Sequence, residues 1–123
     1  MNLKINGKDY EILFGFKAID YLDRVYFIET SGLKLGQGIG FAYNYLIDQH
    51  PLALFHAIKA GTITEKQQPS DAEIEAFAME AGEKDNLEKL YKELANELKK
   101  QPLTKVTVKT YEKNIKEAMK EQI

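Results

Sequence analysis

A chain of 123 residues with 44% hydrophobic content is long enough to bury one core and too short for two. With no cysteine, disulfide frameworks and thiolate chemistry are excluded. The net charge of −2 is unevenly spread, with ten acidic against six basic groups in residues 62–101 and three against five in 102–123; no Lys/Arg cluster interleaved with aromatics is present, so nucleic acid is not an expected partner.

The opening, MNLKINGKDYEI, alternates polar and apolar residues and lacks the apolar run of a signal peptide. A cytoplasmic location is expected. The most apolar stretch is broken by Gly36, Gly38, Gly40, Asp48 and Pro51, well short of the roughly 20 uninterrupted residues of a membrane span, so no membrane partner is expected.

Leu3 and Ile5, then Tyr10, Ile12 and Phe14, alternate with polar or outward neighbours around Asn6-Gly7. Both turn residues tolerate positive φ, which predicts a type I′ hairpin whose apolar face packs on helices. From Gly15 the period changes to about 3.6: Phe16, Ile19, Leu22 and Tyr26 share a side, predicting an amphipathic helix that ends near Ile28 and leaves Asp20, Asp23 and Arg24 to solvent. Glu29 to Gly32 reads as a loop.

Leu35 to Ala60 is the stretch the chain is organised around, with only Asp48 and Lys59 charged. A segment greasy on nearly every face is predicted to be the wall on which other elements bury single stripes. Gly36, Gly38 and Gly40 lack the preceding strand and the following Lys-Ser/Thr of a phosphate loop, so they are read as close-approach positions. Pro51 opens the second helix of the pair, Leu52, Phe55, Ala57 and Ile58 are expected to supply its buried face, and Gly61 is its expected C-cap. His50 and His56 are six apart, which does not place two ligands on one helical face; no metal is expected.

Ser70-Asp71-Ala72-Glu73 is a capping box, followed by Ile74, Phe77, Ala78 and Ala81 at helical spacing up to Gly82. A second start is read at Asp85 with Glu88 three residues on, and a stripe of Leu87, Leu90, Tyr91, Leu94 and Leu98 that ends at Gln101-Pro102. That stripe covers under two heptads and is assigned to the core rather than to a coiled coil. Leu103 to Val108 reads as a short β-prone run, and Tyr111, Ile115, Ala118 and Met119 with Lys113, Lys116 and Lys120 as a basic amphipathic helix. The expected fold is therefore α+β, mostly α: an N-terminal β-hairpin packed on a bundle of about five helices, with a C-terminal basic amphipathic helix. Residues 1–101 are expected to form one globular domain and 102–123 an appendage, docked or ordered only by a partner.

No nucleophile–base pair is recognisable: the serines, Ser31 and Ser70, are explained as loop and cap, and neither histidine has a motif that brings it near them. A small enzyme would need a polar pocket around His50, His56 and Asp48. No catalytic residue or cofactor is assigned, and a non-enzymatic binding or assembly protein is expected.

Three stretches resemble a known family. Ile5-Asn6-Gly7-Lys8-x-Tyr10 with Leu13-Phe14-Gly15-Phe16-Lys17-Ala18-Ile19, then Gly38-Ile39-Gly40 with Tyr45-Leu46 and Pro51-Leu52-Ala53-Leu54 through Gly61, and lastly Pro69-Ser70-x-x-Glu73-Ile74-Glu75 are similar in order and spacing to the tail assembly chaperones of long non-contractile-tailed, siphovirus-type phages of Gram-positive bacteria. The likeness covers about residues 3–80. It implies a protein that coats and solubilises the helical tape-measure protein, helps recruit tail-tube subunits, self-associates, and works in the host cytoplasm without entering the mature virion. A longer, frameshifted form is common in that family. Candidate contacts are whichever of Phe14, Phe16, Tyr43, Tyr45, Tyr111, Ile115 and Met119 the fold leaves exposed. The alternative is a small cytoplasmic adaptor or regulatory protein that binds its partner through the C-terminal helix.

Overall fold

The computed structural model describes residues 1–121. The first hairpin pairs β1 (Asn2–Ile5) with β2 (Lys8–Glu11) in the register Leu3 to Tyr10. Asn6 and Gly7 take φ of 50° and 77°, the left-handed geometry that a type I′ turn requires. Leu3, Ile5, Tyr10, Ile12 and Phe14 are buried, so the alternation in the sequence is the burial pattern. Beyond the strands, the Leu13 N–H donates to the Gly61 carbonyl at 3.0 Å, and Gln101 holds both the Phe14 N–H and the Ile12 carbonyl at 2.8 Å. The hairpin is thereby fixed to two helix ends.

Helix α1 (Phe16–Val25) stops three residues before the expected Ile28. A second hairpin begins there, β3 (Phe27–Thr30) with β4 (Leu33–Gly36), turning at Ser31 and Gly32 with φ of 49° and 76°. The expected loop at 29–32 is thus the tip of an arm, and Leu35 lies exposed on that arm rather than in the core. Phe27 and Ile28 are strand formers with no helix face to bury against, which is why the helical period ends at Val25.

Helices α2 (Gly38–Ile47) and α3 (Pro51–Gly61) form the central pair, and α2 packs against α1, α3, α5 and α6. The glycine cluster does allow close approach. A Cβ on Gly38 would sit 2.5 Å from the backbone of Leu22 and Asp23, and one on Gly40 would sit 2.7 Å from the Tyr111 ring. Asp23, expected to face solvent, accepts a hydrogen bond from the Gly38 N–H at 2.8 Å, placing a carboxylate at the positive start of α2. Between the pair, Gln49 takes φ 59° while the His50 N–H reaches the Tyr45 carbonyl, a Schellman closure without glycine. Gly61 ends α3 from inside the helix, with Thr62 as the cap.

Helix α4 (Asp71–Glu83) starts at the capping box, with Glu73 N–H to Ser70 Oγ at 3.1 Å and Ser70 N–H to Glu73 Oε1 at 2.9 Å. Asp85, read as the next helix start, instead closes α4 at φ 57°, where Asn86 N–H bonds the Ala81 carbonyl; α5 (Leu87–Lys100) starts after Asn86, whose side chain makes no capping bond. Its stripe of Leu90, Tyr91, Leu94 and Leu98 is buried. Glu97 is buried on the same helix, 2% exposed, paired with the Met1 amine and hydrogen-bonded by Gln101.

Leu103 to Val108 is not a strand. A continuous helix α6 runs over Lys105–Glu121. Thr104 is wholly buried and its hydroxyl donates to the Leu98 carbonyl at 2.6 Å, while its own carbonyl accepts from Val108 N–H at 3.0 Å. The β-branched residues have no strand to pair with at this place, and propensity yields to the burial of Val108 and Tyr111 at i, i+3. α6 packs on α2 and α5 through this first half. Of the segment expected over 102–123, residues 122–123 lie outside those described. The fold is α+β and mostly α, with six helices and two small hairpins among the described residues.

Candidate functional site

The titratable groups considered at the sequence level are each engaged separately. His50 caps α3, accepting from Leu52 N–H at 3.3 Å, and Asp48 accepts from the Asn44 amide at 3.3 Å. His56 lies in an aromatic cluster with Tyr21, Tyr26 and Phe55, its Nδ1 2.8 Å from the Tyr21 hydroxyl. Burial first, and the Lys59 charge second, hold its pKa below the usual histidine value. Burial likewise pushes the Tyr26 phenol up to about 12, with Tyr45 and Tyr21 contributing. Among the described residues no group of three His, Cys, Asp or Glu side chains is placed to hold a metal.

Apolar surface is the feature that remains. Pro51 sets the start of α3, so that Ala53, Leu54, Ala57 and Ile58 face inward while Leu52 is left outside. On α4, Ile74 is buried whereas Met79 is 61% exposed. Between these helices and the start of α5 runs an apolar groove of about 360 Å³, walled by Leu52, Phe55, Ala78, Met79 and Leu87, with Ile74 in its floor. Gly82 lies against Leu87 in the same groove, where an added Cβ would meet the leucine Cδ1 at 3.2 Å. A trough between helices with exposed aliphatic walls suits the apolar face of another helix.

Two further apolar surfaces are uncovered. The β3–β4 arm is exposed along its whole length, with Ile28, Leu33 and Leu35 on one face by register. The second half of α6 carries Ile115 and Met119, both exposed.

The sequence candidates divide accordingly. Phe14 and Tyr43 are buried, and Tyr111 is half-buried against Gly40. The Tyr43 hydroxyl donates to Glu112 at 3.3 Å, and burial raises the Tyr43 pKa, aided by that carboxylate. Phe16, 78% exposed at the first turn of α1, Tyr45, Ile115 and Met119 are accessible. Tyr45 sits against Tyr26 and His50 at ring-centroid distances of 5.6 and 5.4 Å, whereas Ile115 and Met119 share the outer half of α6. Of the groove residues, Leu52 was expected on the buried face of its helix but is 60% exposed, because the inward face falls on Ala53, Leu54, Ala57 and Ile58; Leu87 was assigned to the core stripe, and Met79 was not singled out. Their signal was weak: Met79 directly follows Ala78 of the α4 stripe, and Leu52 directly follows the proline.

A family model described as phage tail assembly chaperone protein, TAC, matches residues 2–113. The match extends the likeness well past residue 80, through α5 and the docked half of α6. No curated protein and no solved structure matches the chain. With nearly the whole fold inside the match, the chain belongs to the phage tail assembly chaperone family.

Proposed function

We propose that this chaperone binds the helical tape-measure protein, keeps it soluble in the host cytoplasm, and helps recruit tail-tube subunits along it, without enzymatic chemistry and without entering the finished virion. The observation that carries the reading is the α3–α4–α5 groove in a chain of this family. A long amphipathic rod would otherwise expose its apolar stripe to water. Covering it requires troughs between helices, and many copies on one rod turn individually weak contacts into firm binding. The groove and the accessible candidates Phe16, Tyr45, Ile115 and Met119 are the proposed contact set.

Co-expression with the tape-measure protein tests this. The soluble fraction of that protein is expected to rise when the chain is present, and to fall back when Leu52 and Met79 are changed to Asp. Pull-down of the tail-tube protein by the soluble pair reads the recruitment step. An unchanged soluble fraction would remove the reading.

A further inference from the structure

Helix α6 carries Lys105, Lys109, Lys113 and Lys116, all exposed. At about 100° and 1.5 Å per residue they fall within an arc of about 80° and extend about 17 Å along the axis. With Lys99 of α5, Val106 and Thr110 they line an open depression of about 930 Å³. Glu112, the carboxylate in that lining, has both oxygens engaged, one 3.5 Å from Lys99 and the other accepting from the Tyr43 hydroxyl at 3.3 Å. Glu117 and Glu121 fall about 40° and 80° beyond the arc and do not line the depression.

The arrangement works against the helix that carries it. Lys105, Lys109 and Lys113 follow one another at i, i+4, and Lys116 follows at i+3, spacings at which like charges repel and weaken a helix. No acidic residue stands in the first turn of α6, so the positive end of the helix adds to Lys105 instead of being offset. Elsewhere the chain does the opposite. Lys84, Lys89, Lys92 and Lys100 each stand one turn from a carboxylate with which they pair. Among the described residues, none of the four α6 lysines is ion-paired, and their charge is left for an anion from outside.

We propose that this lysine face receives the acidic face of a helical segment of a partner protein. Four cations at helical spacing over about 17 Å are matched by carboxylates at the same spacing on a second helix. Nucleic acid matches less well. The chain's one arginine, Arg24, is on α1, and no aromatic side chain lines the depression to stack on a base. Helix α4 of this chain is acidic, but Asp71 is taken up by Lys59, Glu80 by Lys84 and Glu73 by the capping box, so the partner is a different protein. No residue of α6 lines the α3–α4–α5 groove, so the lysine face is a second site that does not rest on the client reading.

The probe is a labelled, alanine-rich helical peptide with glutamates repeated at i, i+4, i+8 and i+11, followed by fluorescence anisotropy with the full chain at low ionic strength. Binding is expected, weakening as salt rises from about 0.05 to about 0.3 M. Lys109→Glu with Lys113→Glu is expected to weaken it about tenfold or more. Lys17→Glu with Lys66→Glu, an equal change of charge at exposed lysines elsewhere, is expected to leave it within about twofold. A peptide of the same composition with its glutamates spread round the helix is expected to bind about tenfold more weakly. Circular dichroism checks each variant, and Lys109→Ala with Lys113→Ala replaces the reversal if that does not fold. No binding of the patterned peptide, equal binding of the scrambled one, or equal losses in the two double variants would each overturn the proposal. So would tighter binding of double-stranded DNA or of anionic phospholipid vesicles than of the patterned peptide.

Discussion

Replacing Gly38 by Ala adds one methyl group at the point where α1 and α2 touch most closely. The new Cβ would lie 2.5 Å from Asp23 N and from Leu22 C, and 2.7 Å from Asp23 Oδ1. Ordinary contact begins near 3.4 Å, so the helices must part by nearly an ångström. The clash is with backbone, which cannot rotate aside. Leu22, wholly buried on the α1 face, moves with it. Overpacking costs about 1–3 kcal/mol, and a rigid neighbour places this site at the upper end. Loss of the Gly38 N–H to Asp23 bond adds about 1 kcal/mol. Restricting the unfolded chain returns about 0.4–1 kcal/mol. The net expectation is a destabilisation of about 3 kcal/mol, or a drop in Tm of roughly 10 °C for a domain of this size. Urea and thermal unfolding followed by circular dichroism measure it. Gly15→Ala serves as control, since a Cβ there meets nothing within 4 Å and its φ is negative; it is expected to stay within about 0.5 kcal/mol. If Gly38→Ala proves no more costly than Gly15→Ala, the close-approach account of the glycine cluster is wrong.

Other expectations concern charge and caps. Glu97→Gln removes a buried carboxylate from the Met1 amine and should cost about 1–3 kcal/mol in urea unfolding, an effect absent from the exposed control Glu93→Gln. Burial opposes ionisation of Glu97, but hydrogen bonds from the amine and Gln101, with the charges of the amine and Lys100, hold its folded pKa below 4.5. Its contribution is therefore full above 4.5 and is lost as pH falls through the folded value. For His56 the folded pKa lies below 6.5, so unfolding takes up a proton as pH drops; stability should decline from pH 6.5 downward, and His56→Phe should flatten that slope in urea midpoints compared at about pH 7.5 and about pH 5.5. Gln49→Gly relieves a left-handed residue at the end of α2 and should stabilise by about 0.5–1 kcal/mol, whereas a loss in the same unfolding assay would contradict the Schellman assignment.

The features legible in the sequence were those in which a local signal coincides with burial. Asn6-Gly7 flanked by alternating runs gave the first hairpin, and Ser70 with Glu73 marked the start of α4, because each signal acts over a few residues. The β3–β4 arm was missed because both its faces are exposed, so no period-two burial pattern was imposed on Phe27 to Gly36; Ser31-Gly32 was the available cue. Val106 and Val108 favoured a strand locally, but the missing partner strand was a tertiary fact. The groove was illegible for a similar reason. Leu52, Met79 and Leu87 belong to three helices, and which edge of each stripe stays uncovered depends on how the helices cross, not on any one period.

The crossing also separates stability from binding. The inward positions of α3, Ala53, Leu54, Ala57 and Ile58, are nearly all buried, and those of α5 are completed by Leu94 and Leu98. Leu52 and Met79 add nothing to that packing, since each is more exposed than covered. Surface hydrophobics scattered singly need no explanation, but several lining one trough do. Changing them to Asp should therefore leave unfolding within about 0.5 kcal/mol of wild type while abolishing association. Gly38→Ala should do the reverse at low temperature, weakening the fold while the groove, on other helices, keeps its shape. A fold built this way can change its groove without endangering its core. Coupled losses in both assays, for both classes of substitution, would show that groove and core are one cooperative unit instead.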